Sequence, residues 1–129
     1  MYYKWKKASL IIMSVFYFLA GTNHIFNPGF YLPLIPPYLP AHDAINLIAG
    51  IAEIGASILI LFTATRKFAA WGIIFMLIAF MPVHIFMVQH TPMQIGSRTI
   101  TPFIAWIRIP LQALLVWWAW SFTGRKKLK

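Results

Sequence analysis

The sequence predicts an all-α integral membrane protein, a four-helix bundle with both termini cytoplasmic. Two observations carry this prediction. Of the 129 residues, 60% are hydrophobic and only 10% are charged, and the apolar residues fall into four runs about as long as a membrane-spanning helix. Soluble domains are about 45–50% apolar and about 25% charged, so a chain this short has too little interior to bury the excess. The composition therefore argues against a soluble domain and against intrinsic disorder.

One membrane domain covers residues 1–129, and its predicted helices span residues 8–26, 44–62, 68–88 and 102–122. The first run follows lysines, as a signal peptide does, but its length and the lack of a small-x-small cleavage site favour a retained helix. Residues 27–41 form a proline-rich outer loop, too rich in proline for a regular helix and too apolar for a solvated linker. We expect this loop to lie on the domain as a lid. The connection from His90 to Thr101 is expected to be an ordinary polar loop.

The net charge of +9 is distributed in short clusters at alternate ends of successive helices. The clustered residues are Lys4, Lys6, Lys7, Arg66, Lys67, Arg125, Lys126, Lys127 and Lys129. Only Arg98 lies in the other two connections. Because basic residues beside short loops stay in the cytoplasm, this pattern predicts a multi-pass membrane protein with both termini inside. The expected partner is the lipid bilayer and not nucleic acid, which needs basic charge concentrated on one face.

The second predicted helix carries its polar and small residues on one stripe with helical spacing. The stripe consists of Asn46, Ala49, Gly50, Glu53, Ala56 and Ser57. The opposite side of the helix is aliphatic, as a lipid-facing surface requires. Glu53 is therefore expected to face protein, and tight packing around a satisfied acid is the alternative to a functional role.

The other three helices also carry polar residues, at a depth that matches Glu53. These candidate ligand-binding residues are Tyr17, Asn23 and His24 on the first helix, Asn46 and Glu53 on the second, His84 on the third, and Arg108 and Gln112 on the fourth. Polar groups inside a membrane are costly, so their coincidence predicts a pocket in the outer half of the bundle. We expect Glu53 and Arg108 to pair, because they are the only opposite charges at comparable depth.

Several residues are expected to shape this pocket. Pro82 and Pro110 lie inside helices, where each removes a backbone donor and favours a kink that opens space. Ala49 and Gly50 are expected to abut the first helix, whereas Ser57 is expected to border the pocket. His24 and the segment from Phe30 to Tyr38 would form the entrance.

The sequence indicates no metal site and no catalytic motif. It contains no cysteine and only two acidic residues, and its histidines do not form an H-E-x-x-H pattern. No motif assigns a cofactor, so whether the protein is an enzyme stays open.

Five segments together resemble the DoxX-like family of small membrane proteins. They are Gly21–Pro28, Ile35–Pro40, Ala49–Ile54, Pro82–Ile85 and Arg108–Gln112. The order and spacing of their G-x-x-H, P-P-x-x-P, G-x-x-E and R-x-x-x-Q elements carry the resemblance, which covers most of the chain. The family pattern tends to have Asn where this sequence has His84. The resemblance implies a four-helix bacterial inner-membrane protein with a poorly defined activity. Proteins of this family are sometimes placed beside respiratory or oxidative-stress partners, so other membrane redox proteins are the candidate protein partners. Members that act through thiols are no model for a chain without cysteine.

Two classes of function stay open at this point. In the first, a redox-associated membrane subunit binds a small lipophilic ligand, with a quinone as one candidate, in the polar pocket. In the second, a non-catalytic assembly or chaperone-like membrane partner uses the buried polar residues only to hold its helices together.

Overall fold

A computed structural model describes residues 2–124 of the chain. The architecture is all-α, and four helical stretches are long and apolar enough to cross a membrane. The helices are α1 (Tyr2–Phe26), α2 (Pro28–Tyr31), α3 (His42–Leu59), α4 (Thr63–Ala79), α5 (Met81–His90) and α6 (Pro102–Trp120). A 3-10 turn at Leu32–Leu34 follows α2, and a small hairpin of β1 (Met93–Ile95) and β2 (Arg98–Ile100) precedes α6.

Helices α1 and α3 pack closely along antiparallel axes. The Ser14 hydroxyl donates a hydrogen bond to the Ser57 carbonyl at 2.6 Å. Two turns further along α1, Gly21 lies against Gly50, where the absence of side chains lets the two backbones approach. Ser14 of α1 thus contacts Ser57, whereas the later residue Gly21 contacts the earlier residue Gly50. The end of α1 therefore lies beside the start of α3.

The predicted stripe on the second helix is confirmed. The buried residues of α3 are Asn46, Ala49, Gly50, Glu53, Ala56 and Ser57. On the other side of α3, Ile48 is 65% exposed and Ile51 is 57% exposed. The helix therefore turns its small and polar face inward and its aliphatic face outward.

One end of the bundle holds a filled apolar core. Its buried members are Leu10, Met13, Tyr17, Ala56, Ile60, Ala69, Ala70, Ile73, Ile74, Leu77, Ala119 and Phe122. The Trp118 indole donates to the Ser9 hydroxyl at 2.7 Å, and the Lys6 ammonium lies 4.3 Å from the centre of the Phe122 ring. We call this end the basic end, because residues 4–7 and 66–67 lie here. The predicted basic cluster at residues 125–129 lies outside the described residues.

The turn from α3 to α4 is short, and side chains from the start of α4 cap the carbonyls at the end of α3. The Arg66 guanidinium donates to the carbonyls of Ile60 and Leu61, both at 3.0 Å. The Thr65 hydroxyl donates to the Leu59 carbonyl at 2.6 Å. These bonds satisfy acceptors that the helix itself leaves free.

The opposite end, the lid end, is covered by two segments that pack on each other. The lid is the proline-rich segment of residues 27–41, and it contains α2 and the 3-10 turn. The segment expected to be a plain polar loop instead forms the hairpin, because Ile95 and Ile100 bury their side chains against the lid and α5. Gly96 turns the hairpin with a φ of 58°, a conformation that favours glycine.

The helix boundaries differ from the predicted ones because hydropathy marks the apolar part of a helix and not its ends. The predicted spans 8–26, 44–62, 68–88 and 102–122 become 2–26, 42–59, 63–90 and 102–120. The third span is interrupted at Phe80, just before Pro82, so it consists of α4 and α5. Proline cannot donate to the preceding turn, which accounts for the break.

Candidate functional site

A cavity of about 300 Å³ lies between the filled core of the basic end and the lid. Its walls come from α1, α3, α5 and α6, from the end of α4, and from the lid. The polar residues on these walls are Tyr17, His24, Tyr31, Asn46, Glu53, His84, Arg108 and Gln112. The rest of the lining is aliphatic and aromatic, so a few polar groups converge in an otherwise apolar space.

Seven of the eight residues proposed from the sequence line this cavity, and Asn23 does not. Asn23 is exposed at the end of α1, where its side-chain amide donates to the Tyr31 hydroxyl at 2.6 Å. It therefore touches the site only through Tyr31. Tyr31, which lies in the segment expected to form the entrance, also lines the cavity.

A hydrogen-bonded group joins α1 to α3 on one wall. The Asn46 amide nitrogen donates to the His24 carbonyl at 2.8 Å, and the Asn46 amide oxygen lies 2.7 Å from His24 Nδ1. The other ring nitrogen, Nε2, lies 3.6 Å from Glu53 Oε2. Asn46 thereby holds the imidazole between itself and the carboxylate, and Glu53 is only 4% exposed.

The expected pairing of Glu53 with Arg108 is wrong. In the part of the chain that the structure describes, the ion pair of Glu53 is with His24, a neighbour across the close α1–α3 contact. Arg108 lines the opposite part of the cavity on α6, and its hydrogen-bond contact is the Met87 sulfur at 3.9 Å. The distance of each residue from the end of its helix predicted that both charges lie at one level, but it could not show which neighbouring helix each side chain would face.

The second wall is built by α5 and α6. Gln112 places its amide nitrogen against His84 Nε2 in a short hydrogen bond. His84 is 7% exposed and lies one turn after the break at Phe80, and both residues line the cavity. Pro110 lies inside α6 between Arg108 and Gln112. Phe80, where α4 ends and α5 begins, also lines the cavity. The interruption before Pro82 therefore lies at the cavity, as expected for a proline kink that opens space.

The lid closes the site with an aromatic stack. The Tyr31 ring lies 3.8 Å from the His24 ring, with 22° between the planes. Burial raises the pKa of the Tyr31 phenol above its usual value, so the group stays neutral at neutral pH. No helical or strand periodicity relates Tyr31 to His24, which is why the sequence pattern did not reveal this contact.

Four buried polar atoms at the cavity have no hydrogen-bond partner among the described residues. They are Tyr17 Oη, Glu53 Oε2, His84 Nδ1 and Gln112 Oε1. All four belong to cavity-lining residues, and they come from four different helices. Buried polar atoms in proteins are nearly always paired, and leaving one unpaired costs about 1–3 kcal/mol. Their concentration around one space is the feature of the molecule that most needs an explanation.

Two expectations about the shape of the pocket have different outcomes. Gly50 abuts α1 as predicted, since a Cβ there would lie 2.9 Å from the Gly21 carbonyl oxygen, whereas Ala49, for which the same contact was expected, lines the cavity. Ser57 does not border the cavity. It is 1% exposed, its backbone carbonyl accepts a hydrogen bond from Ser14 of α1, and its hydroxyl donates to the Ile54 carbonyl at 2.6 Å, so the residue is buried where α1 and α3 meet.

No curated protein and no solved structure matches the chain. A family model does match, over residues 13–123, which include every residue that lines the cavity. The chain belongs to the family that this model describes, the domain of unknown function DUF8561.

Proposed function

We propose that this protein is a multi-pass protein of the bacterial inner membrane that binds a small lipophilic molecule with a polar head group in the cavity. The observation that carries the proposal is the set of four buried polar atoms around one apolar space that have no hydrogen-bond partner among the described residues. A bound head group would form hydrogen bonds with these atoms, whereas in an empty apolar cavity they would stay buried without a partner at a cost in free energy. The resemblance to DoxX-like proteins supports the same setting, with a quinone as one candidate ligand and membrane redox proteins as partners.

Membrane insertion is supported by the outward faces of the helices. Large apolar side chains are exposed on α3, α4 and α6, among them Ile48 at 65%, Phe75 at 66%, Leu114 at 61% and Trp117 at 72%. Soluble monomers rarely expose contiguous apolar surface of this kind, whereas lipid tails solvate it. The basic residues at one end give the orientation that we propose, with the basic end in the cytoplasm and the lid outside.

The size of the cavity limits the ligand. Small-molecule pockets have volumes of about 300–1,000 Å³, so a cavity of about 300 Å³ accepts one ring-sized head group. The aliphatic tail of a quinone or a similar lipophile would then extend between helices into the bilayer. The lid over His24 suits a site that takes its ligand from the membrane and shields the head group from water.

Filling the cavity is the direct test of binding. Ala49 lines the cavity on α3, and Ala49→Leu places three additional carbons in the space. Ala44 is exposed on the same helix, so Ala44→Leu is the matched control. Lipophiles extracted from each purified protein would be identified by mass spectrometry, and binding of 1,4-naphthoquinone would be measured by fluorescence quenching. We expect Ala49→Leu to lose the ligand and to melt near the parent temperature, while Ala44→Leu keeps both properties.

The opposite result would favour the assembly role. If the parent carries no lipophile and binds no naphthoquinone, or if Ala49→Leu binds as the parent does, the cavity is not a ligand site. The buried polar residues would then serve only to connect helices.

Orientation can be tested separately because the chain has no cysteine. Ser97→Cys in the hairpin and Lys67→Cys at the basic end both introduce a single thiol at an exposed position. A membrane-impermeant maleimide applied to intact spheroplasts should label Ser97→Cys and should label Lys67→Cys only after lysis. The reversed pattern would contradict the proposed topology.

A further inference from the structure

Arg108 is a cation on the cavity wall for which the described residues supply no anion. It is half-buried on α6, six residues after Pro102 and therefore about 9 Å along the helix. Its hydrogen-bond contact is a thioether sulfur, which is a weak acceptor. A guanidinium has five N–H donors and keeps its charge in proteins, so most of its binding capacity is unused.

The acidic residues of the chain do not neutralise Arg108. There are two of them, Asp43 and Glu53. Asp43 is exposed in the first turn of α3, and the ion pair of Glu53 is with His24. Whether Glu53 can still compensate Arg108 across the cavity depends on the charge of the His24–Glu53 pair.

Asn46 fixes one proton of the His24 ring through its two hydrogen bonds. Its amide nitrogen donates to the His24 carbonyl, so its amide oxygen must be the atom that faces His24 Nδ1. Nδ1 therefore carries a proton. Glu53 is buried and its Oε2 accepts no hydrogen bond from the described residues, so an ionised carboxylate 3.6 Å from an unprotonated Nε2 would be a costly isolated charge, and one further proton belongs to the pair. With that proton on either member, the His24–Glu53 pair is neutral in sum.

The remaining ionisable groups on the cavity wall are also neutral. His84 Nε2 accepts the hydrogen bond from the Gln112 amide, which leaves a neutral ring with its proton on Nδ1. Tyr17 and Tyr31 are phenols, which are uncharged at neutral pH. The cavity therefore holds one uncompensated positive charge, on Arg108, in surroundings of low polarity.

We infer that the ligand is a lipophilic acid whose anionic oxygen pairs with Arg108. This inference rests on the proposed function, since it assigns a chemical class to the occupant of the same cavity. An anion is the group that a desolvated guanidinium binds best, because the pairing is both charged and hydrogen-bonded. The class includes acidic ring compounds such as hydroxyquinones and also fatty acids, which share an ionised oxygen on an apolar body.

Two matched pairs of probes test the inference and distinguish these sources. The ring pair is 2-hydroxy-1,4-naphthoquinone, which is ionised at neutral pH, and 1,4-naphthoquinone, which is not. The chain pair is dodecanoate and dodecanol. Binding to the full chain in nanodiscs of zwitterionic lipid would be measured at neutral pH, with empty nanodiscs as the blank. We expect the acid to bind at least about tenfold more tightly than its neutral counterpart in one pair, and that pair identifies the source.

Arg108 variants then assign the preference to this residue. Arg108→Gln should bind the two members of the preferred pair equally, and Arg108→Lys should restore a preference for the acid. Arg98→Gln is the control, because Arg98 also carries a guanidinium but lies on the exposed hairpin, 5.7 Å from the Phe30 ring. That variant should keep the full preference.

Each result has a defined consequence. If the parent protein binds the neutral and acidic members of both pairs equally, the inference is wrong while the proposed function stands. If it binds none of the four probes, both are wrong. If Arg108→Gln keeps the preference, the anion binds elsewhere. The comparison on the parent protein decides the ligand class even if a variant fails to fold.

Discussion

The contact between Gly21 and Gly50 allows a quantitative prediction, because the structure gives the space available to a side chain at each position. A Cβ at Gly21 would lie 2.7 Å from the Gly50 carbonyl oxygen, and a Cβ at Gly50 would lie 2.9 Å from the Gly21 carbonyl oxygen. Ordinary contacts begin at 3.4 Å. Alanine therefore requires α1 and α3 to separate by about 0.7 Å at Gly21 (3.4 minus 2.7) and by about 0.5 Å at Gly50 (3.4 minus 2.9).

Such a separation disturbs the bonds beside the contact. It would lengthen the hydrogen bond between His24 and Asn46 from 2.7 Å to about 3.2 Å, the upper limit of normal geometry. Overpacking of this kind costs about 1–3 kcal/mol. We therefore expect Gly21→Ala and Gly50→Ala each to lower the free energy of unfolding by about this amount. The double variant should lose less than the sum, because one separation relieves both clashes.

Gly55 on the same helix is the matched control, since a Cβ there meets no atom within 4 Å. Gly55→Ala should be neutral or should stabilise α3 by up to about 1 kcal/mol, because alanine favours the helix. Unfolding of the parent and the four variants would be measured in mixed micelles with increasing dodecyl sulfate, followed by circular dichroism. Equal unfolding of Gly50→Ala and Gly55→Ala would show that α1 and α3 do not meet at this point.

Three further predictions concern other contacts between helices. Ser57→Leu should reduce stability and expression, because its side chain lies in the filled helix interface; a variant that melts like the parent would contradict this placement. Asn46→Ala should lower the free energy of unfolding by about 1–3 kcal/mol, because it leaves the His24 carbonyl and His24 Nδ1 without their hydrogen-bond partner. Chemical unfolding should therefore occur at a lower denaturant concentration than in the parent. In a double-mutant cycle of Ser9→Ala and Trp118→Phe, the coupling energy should be about 0.6–1.7 kcal/mol, and additive losses would mean that this hydrogen bond contributes nothing.

Helical periodicity was sufficient to predict the faces of the helices. The stripe from Asn46 to Ser57 repeats every three or four residues, and one side of a helix must bury such a stripe if the other side is aliphatic. For the same reason, seven of the eight proposed polar residues line one cavity. Periodicity and depth give a face and a level along each helix, and these two coordinates were enough to bring the polar groups together.

The partner of each polar group could not be predicted in the same way. Pairing depends on how each helix is rotated against its neighbours, so Glu53 lies with His24 and not with Arg108. Contacts made by irregular segments were also missed, because the stack of Tyr31 on His24 follows from the path of the lid and from no repeating pattern. The hairpin was missed because its three-residue strands are too short to show alternation.

In the capped turn between α3 and α4, Arg66 has one role in the stability of the fold and another in the proposed orientation. Arg66 contributes charge to the basic end and also holds two carbonyls with its planar fork. In the proposed topology, lysine would keep the positive charge that favours the cytoplasmic side, but it cannot bind both carbonyls in the same geometry. Arg66→Lys therefore separates these two roles of one residue, because it should leave the proposed orientation unchanged while it weakens the closure of the turn.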